Sequence, residues 1–246
     1  MDKIKKLKEI IEASKNIVIF SGAGLSTNSG IPDFRSADGL YNQKTNYLIR
    51  PEEIISHSFF MKNVEMFYEF YFDKMIYKDA RPNIAHIYFA GLENKNKNVT
   101  IVTQNIDNLH QEAGSINVCE LHGSVKRNYC MKCHKYYPLE DLKLNSVPYC
   151  TCGGIIKPDV VLYEEGLNED EINKAINAIS SADTMIIVGT SLTVYPAAGF
   201  IRYFKGKELV LLNKTETQYD YLATHTIYGD IKNIIENLIE EEKALN

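Results

Sequence analysis

The chain reads as an α/β protein, a doubly wound parallel sheet with a small second lobe. Three observations predict this. Runs of strand length at 17–20, 99–103, 118–121, 184–188 and 208–212 alternate with stretches of helical periodicity. Two of these runs lead straight into small-residue turns, Gly22-Ala23-Gly24 and Gly189-Thr190-Ser191. The alternation is interrupted twice, by an aromatic-rich stretch and by a cysteine module.

Composition narrows the function classes. The 246 residues, 45% of them hydrophobic, suffice for one large domain or a large and a small one. The net charge of −5, with Lys and Arg spread along the chain, leaves no electrostatic footprint for nucleic acid. A basic protein or peptide partner is compatible with it. No apolar run reaches membrane-spanning length, and the first residues lack an apolar signal core. The expectation is a soluble, cytoplasmic protein.

Ile4, Leu7, Ile10 and Ile11 fall at helical spacing, so an amphipathic helix precedes the first strand, Ile17–Phe20. The turn that follows holds Gly22 and Gly24, residues that permit positive φ and a close backbone approach. Ser26 and Thr27 stand where they would cap a following helix. Strand, glycine turn and helix N-terminus together predict an anion cradle. The fingerprint Gly-x-Gly-x-x-Gly is incomplete, because Thr27 stands at its third glycine. The turn alone therefore fits phosphate binding and ordinary structure equally. Beyond it, Asp33, Phe34 and Arg35 share one loop, and arginine suits a phosphate or carboxylate. The bland alternative is a surface loop with a buried Phe. Residues from there to about 50 read as a mobile lid.

Pro51 suits a first helical position. The stretch 59–77, rich in Phe and Tyr, reads as one helix of a cap module, most of its rings packing a core and some lining an apolar channel. Pro82 opens a helix that runs to about residue 94. The strand at 99–103 ends in Gln104-Asn105-Ile106-Asp107, a polar cluster at the carboxyl edge where open α/β sheets bind ligands. Asp107 also suits an N-cap. The strand at 118–121 ends at His122-Gly123, which puts an imidazole on the same edge. Helices are expected at 169–181, 196–204 and 230–244, and further strands at 184–188, at 208–212 ending in Asn213, and at 223–228.

Four of the five cysteines pair as Cys130-x-x-Cys133 and Cys150-x-Cys152. Two short knuckles of thiolates suit a tetrahedral, closed and therefore structural zinc site. The second pair is tighter than usual, which leaves His134 as an alternative ligand. Cys119 lies in an apolar run and reads as a core thiol.

Taken together, GAGLSTNSGIPDFR, TQNID, ELHG, the paired cysteines and GTSLTVYPAA resemble, in order and over nearly the whole chain, the sirtuins of bacterial type. That family comprises NAD-dependent protein deacylases. The resemblance implies a Rossmann-like large domain (1–37, 78–125 and 156–246). It also implies a small lobe made of a helical insertion (38–77) and a zinc ribbon (126–155). The implied reaction moves the acyl group of an acyl-lysine onto ADP-ribose and releases nicotinamide, with zinc structural and NAD a co-substrate. Monomeric action on protein or peptide substrates, without nucleic acid or membrane, goes with it.

Residue by residue, the resemblance makes His122 the general base and Asn105 its catalytic companion. Asn105, Ile106 and Asp107 line a nicotinamide pocket. Gln104 faces the adjoining ribose, and Phe34 shields the reacting centre. Gly22, Ala23, Gly24, Thr27 and Arg35 contact the cofactor near the phosphates and ribose. Gly189, Thr190, Ser191, Asn213, Asp230 and Ile231 hold the adenosine end. Val160, Val161 and Tyr163 on one side, and Thr193, Val194 and Tyr195 on the other, receive the acyl-lysine peptide as an added strand. Cys130, Cys133, Cys150 and Cys152 bind the zinc.

Two departures from the family are informative. Tyr163-Glu164-Glu165 stands where many sirtuins read Phe-Gly-Glu, which stiffens that loop and adds a carboxylate, tilting preference toward basic peptides. Desuccinylating sirtuins carry a Tyr and an Arg three residues apart, where this chain has Tyr68 and Tyr71. A succinyl carboxylate would be left unpaired, so acetyl or longer neutral acyl groups are expected. The competing readings are an NAD-dependent ADP-ribosyltransferase, a nucleotide-sensing or zinc-ribbon binding module, and a hydride-transferring dehydrogenase. The intact His122 speaks against the second. The incomplete fingerprint and the zinc ribbon speak against the third.

Overall fold

The computed structural model describes residues 2–34, 36, 39–41 and 49–244. The lid expected up to residue 50 falls mostly outside them. Helix α1 (Lys3–Ala13) starts at Asp2, whose carboxylate accepts from the Ile4 N–H, and buries Leu7, Ile10 and Ile11. Strand β1 (Asn16–Ser21) follows. The helix expected after the glycine turn does not form. Two 3-10 turns, Ala23–Leu25 and Thr27–Ser29, take its place, and Gly30 ends them at φ +85°.

The aromatic stretch forms α2 (Pro51–Ile54), α3 (His57–Lys62) and α4 (Val64–Lys74). The single helix expected at 59–77 is broken at Asn63, whose φ −135°, ψ 52° lies outside the helical region. Helix α5 (Ile84–Gly91) is capped by the Asn83 side chain, so Pro82 stands before the cap rather than inside the helix. Then come β2 (Asn98–Thr103), the short α6 (Leu109–Glu112) and β3 (Val118–Glu120). Strands β4 (Gly123–Cys130), β5 (Tyr136–Pro138) and β6 (Ile156–Val160) carry the cysteine module. The chain closes with α7 (Glu169–Ser181), β7 (Thr184–Val188), β8 (Glu208–Asn213), β9 (His225–Tyr228) and α8 (Ile231–Lys243). The segment expected as a helix at 196–204 is a 3-10 stretch, Ala197–Tyr203.

Six strands form one sheet in the order β3-β2-β1-β7-β8-β9, with every neighbouring pair parallel. Two halves wind outward in opposite directions from β1 and β7, which is the doubly wound order. The apolar runs are continuous because both faces are covered. Alternate residues then feed two cores. Ile17, Ile19, Ile186, Val188, Val210 and Leu212 pack with α1, α5 and α8. Val18, Phe20, Met185, Ile187, Leu209 and Leu211 pack with α7 and the 197–203 stretch.

A second, three-stranded antiparallel sheet has the order β5-β4-β6. A third core joins Phe59, Phe60, Phe67, Tyr68, Phe70 and Tyr71 to Val125, Leu139, Val160 and Leu162. The helices between β1 and β2 thus share one apolar interior with the residues that flank the cysteine module. Among the described residues no helix is long and apolar enough to cross a membrane.

Candidate active site

Because β1 and β7 are neighbours at the point where the strand order reverses, the turns that leave them face each other across a crevice. These turns touch. The Gly22 N–H donates to the Val188 carbonyl at 3.1 Å and the Gly24 N–H to the Gly189 carbonyl at 2.8 Å. A Cβ on Gly22 would lie 2.6 Å from Thr190 Cβ, and one on Gly24 would lie 2.8 Å from the Gly189 oxygen. Neither glycine has a positive φ, and Gly22 is extended at −131°. Of the two properties glycine offers there, positive φ is not used. These glycines are required by the close approach of the second turn. The left-handed residue is Gly189 itself, at φ +60°, where a Cβ would lie 2.3 Å from the Leu25 nitrogen. Thr27, at the missing third glycine, donates its hydroxyl to the Gly24 carbonyl at 3.0 Å.

The polar cluster after β2 closes one end of this crevice. The Asn105 amide donates to the Gly22 carbonyl and to Ser26 Oγ, both at 3.1 Å. Ser26 Oγ in turn donates to Asp107 Oδ2 at 2.6 Å, and the Leu109 N–H donates to Asp107 Oδ1 at 2.9 Å. Burial raises the Asp107 carboxyl above its ordinary value against the pull of these two donors. Gln104 reaches the second turn, its amide 3.1 Å from Thr190 Oγ1. Asn213 does the same from β8, donating to the Thr190 carbonyl at 3.1 Å. Asp230 caps α8 and accepts from Asn28 at 3.2 Å.

His122 follows β3, with Nδ1 2.8 Å from the Gln104 carbonyl oxygen. A carbonyl can only accept, so Nδ1 carries the proton and Nε2 keeps its lone pair. Burial lowers the His122 pKa below its ordinary 6.5, and the Gln104 carbonyl opposes part of that shift. The ring is therefore neutral at pH 7, in the tautomer a base requires. The His122 carbonyl accepts from the Val161 N–H at 3.0 Å, which ties the imidazole to the chain leaving β6.

One cavity of about 1010 Å³ collects these groups. Its lining includes Gly22, Ala23, Gly24, Thr27 and Phe34, then Gln104, Asn105, Ile106, Asp107 and His122. Val160, Val161 and Tyr163 line it from one side, and Val194 and Tyr195 from the other. Gly189, Thr190, Ser191, Asn213, Asp230 and Ile231 complete the far end. Thr193 is not among the lining residues; its hydroxyl pairs with Ser191 Oγ at 2.8 Å. Arg35 lies outside the described residues. Sequence reasoning treated Ser26 only as a cap and did not single out Val125, Leu139 or Leu162, which line the cavity as well. A volume at the upper end of small-molecule sites, two facing glycine turns and a row of hydroxyl, amide and carboxylate groups fit a dinucleotide.

Glu164 occupies the left-handed region at φ +75°, where a glycine would be unstrained. Its carboxylate accepts from the Ser58 N–H at 2.8 Å and from Ser58 Oγ at 3.0 Å, which pins it to α3. Next to it, Glu165 joins His57 at 2.9 Å and Lys157 at 3.1 Å. Glu164 has neutral partners and Glu165 a cationic one, so the charge of Glu164 is the one left over beside the cavity.

The ligand atoms of Cys130, Cys133, Cys150 and Cys152 all lie within 4.8 Å of one another. His134 stays exposed outside this group, at φ 57°, so the four thiols are the donor set. The knuckle geometry suits thiolates. The N–H groups of Lys132 and Cys133 point at Cys130 Sγ, each at 3.4 Å. The Cys152 N–H and then the Tyr137 hydroxyl draw the Cys150 thiol down to about 5. Four sulfurs so placed fit a tetrahedral zinc with no open position.

The model of the Sir2 family matches residues 22–196, which spans both glycine turns, His122 and all four clustered cysteines. The chain belongs to the Sir2 family. It is 58% identical to an NAD-dependent protein deacetylase of Clostridium perfringens (strain 13 / Type A), over 97% of this chain and 99% of that one. It is 42% identical to the protein of the same name in Staphylococcus aureus (strain N315), over 97% and 98%. Among solved structures, a Sir2 protein with a deacetylated peptide and 3′-O-acetyl ADP ribose superposes with a TM-score of 0.88. It is 39% identical and covers 98% of each chain. A Sir2–peptide–NAD+ structure gives 0.86 at 39% identity, over 99% of this chain and 100% of the other. The parallel sheet with its clustered cysteines is thus the Sir2 architecture, and the four-cysteine site belongs to it.

Proposed function

We propose that this Sir2-family chain removes acetyl or longer neutral acyl groups from lysines of proteins or peptides, using NAD and giving nicotinamide and O-acyl-ADP-ribose. One observation carries the reading: the lone-pair nitrogen of a neutral His122 shares a cavity with the paired glycine turns and the Asn105–Asp107 cluster. When bound, the dinucleotide supplies an activated ribose carbon with nicotinamide as leaving group. Gly22, Ala23, Gly24 and Thr27 would hold its phosphates, with Arg35. Gly189, Thr190, Ser191, Asn213, Asp230 and Ile231 would hold its adenosine end.

Asp107 accepts hydrogen bonds, which suits a carboxamide NH₂, and Ile106 supplies an apolar wall beside it. Asn105 fixes the Gly22 carbonyl and Ser26, and so orients both Asp107 and the first turn. Gln104 faces the ribose. His122 takes the proton from a ribose hydroxyl at Nε2 while the Gln104 carbonyl holds Nδ1–H. Imidazole at neutral pH suits that task. Phe34 covers the reacting centre and keeps water out. The substrate backbone lies between Val160–Tyr163 and 193–195 as an added strand, so recognition is mostly main-chain. Zinc on the four cysteines fixes the ribbon. The domain limits given above follow from this reading, as do monomeric action in the cytoplasm and the absence of nucleic-acid or membrane partners.

The test is mass spectrometry of an acetyl-lysine peptide with the protein, with and without NAD, beside His122→Ala. Loss of the acetyl group and formation of O-acetyl-ADP-ribose, both NAD-dependent and abolished in the variant, are expected. ADP-ribose appearing on protein in place of O-acetyl-ADP-ribose would replace the reading with transferase activity.

A further inference from the structure

The Gln104 carbonyl that holds His122 Nδ1 belongs to the peptide unit joining Gln104 to Asn105. The N–H of that same unit donates to Thr103 Oγ1 at 3.0 Å. A peptide unit is planar, so what fixes its N–H also fixes the direction of its carbonyl. Thr103 Oγ1 receives a second hydrogen from Ser21 Oγ at 2.9 Å, its register partner across β1 and β2. Ser21 has one hydroxyl hydrogen and gives it to Thr103. Its contact with His110 Nε2 at 2.9 Å must therefore run from the imidazole to the serine. One directed chain results, from His110 on α6 through Ser21, Thr103 and the 104–105 peptide to His122.

The three side chains of this chain are buried, Ser21 at 0%, His110 at 1% and Thr103 at 3% exposed. None of them is among the described residues that line the cavity. For packing alone, His110 is an unfavourable choice. Its Nδ1 has no hydrogen-bond partner among the described residues, and neither has Nε2 of His86, whose ring centroid lies 4.9 Å away. An apolar side chain there would leave no unmatched nitrogen, but it could not donate to Ser21. Burial, and then the neighbouring His86, holds the His110 pKa well below its ordinary 6.5. The ring is thus neutral at pH 7, with its hydrogen on Nε2, where Ser21 requires it.

We propose that His110 is a positioning residue for the reaction, acting through Ser21 and Thr103 to aim the Gln104 carbonyl at His122 and so keep the base in its working tautomer and orientation. The proposal rests on the deacylase reading above and adds to it a chain of residues behind the base.

The experiment measures kcat for O-acetyl-ADP-ribose formation, and KM for NAD and an acetyl-lysine peptide. Wild type is compared with Thr103→Val, Thr103→Ser, His110→Phe, His110→Gln and the double variant Thr103→Val/His110→Phe, with folded fractions set by circular dichroism. Valine removes the hydroxyl that serine keeps, and phenylalanine removes the N–H that glutamine keeps. Thr103→Val and His110→Phe are each expected to lower kcat on the order of tenfold with both KM values unchanged. The double variant should fall no further than the lower single one, because both break the same chain. Thr103→Ser and His110→Gln should recover most of the loss. An unchanged kcat in folded Thr103→Val, losses that multiply in the double variant, losses confined to KM, or equal losses in the conservative variants each overturn the positioning role and leave the deacylase reading intact. Should His110→Phe fail to fold, Ser21→Ala takes its place with the same outcomes. No turnover of the acetyl peptide by wild type overturns both.

Discussion

Replacing Gly123 by alanine should unfold the protein at lower temperature than any simple backbone preference allows. Gly123 follows the candidate base and opens β4, paired with Val160 of β6. Its φ is +74°, and a Cβ there would lie 1.9 Å from the Asp159 carbonyl oxygen and 2.9 Å from its carbon. Both obstacles are backbone and have no rotamer to yield. The left-handed conformation costs alanine roughly 1–2 kcal/mol. Overpacking adds about 1–3 kcal/mol. Their sum, about 2–5 kcal/mol, corresponds to a fall in Tm of roughly 4–20 °C for a chain of this size.

Gly30 supplies the control, since at φ +85° a Cβ meets nothing within 4 Å among the described residues. Gly30→Ala should lose only the conformational part, about 1–2 kcal/mol. Thermal melts followed by circular dichroism compare the two variants. Equal shifts in Tm would refute the account, because the contact with β6 would then contribute nothing. A folded Gly123→Ala protein should also lose turnover, since parting β4 from β6 breaks the hydrogen bond from the Val161 N–H that holds the His122 carbonyl.

Four further outcomes are expected. If His122 is the base, kcat/KM should rise with pH through a midpoint below 6.5 and then level off, because burial disfavours the imidazolium; a midpoint above 6.5 would count against it. Burial lowers His86 from 6.5 to about 4, so the stability that comes from keeping it neutral is full above pH 6.5 and is lost as pH falls toward 4, roughly 3 kcal/mol in all. Urea unfolding at pH 7 and pH 5 should show a steeper decline for wild type than for His86→Gln, and parallel declines would refute this. Chelating zinc should abolish amide-exchange protection in β4 and β5 while sparing β1 and β2, since Cys130, Cys150 and Ile156 are the buried members of that local core; unchanged exchange in β5 would refute it. The surplus charge of Glu164 should favour peptides flanked by Lys over Glu, more at low salt, and Glu164→Gln should level them; equal affinities in wild type would end that idea.

The large sheet was legible because its strands are buried on both faces and so read as unbroken apolar runs. The run at 184–188 matches β7, and the run at 208–212 matches β8 to within a residue. The order of those strands is invisible locally and is seen only in the structure. The glycine turn was placed correctly; close approach, not positive φ, is what it needs, and the group that approaches is a second turn. Its true neighbour, Gly189, lies more than 160 residues away along the chain, so no local rule predicts that contact. Ser26 was read as a cap because its residue type suits one, yet its hydroxyl serves Asp107 across the crevice. Tyr71, read from the sequence as standing where desuccinylating sirtuins carry an arginine, packs in the aromatic core beside Tyr68. The break at Asn63 went unseen because the aromatics on either side continue the same buried cluster.

The pairing of β1 with β7 has a consequence for biosynthesis. Ile17 registers with Thr184, so the centre of the sheet stays unmade until most of the chain has left the ribosome. Until then the nascent protein presents one open, apolar parallel edge, the kind of surface on which chaperones act. The helices and the cysteine module between those strands are finished first, and their local contacts need nothing from β7. Synthesis therefore yields a preformed small lobe waiting on an incomplete crevice. A chain stopped before residue 184 should hold zinc yet have no second turn to set against Gly22.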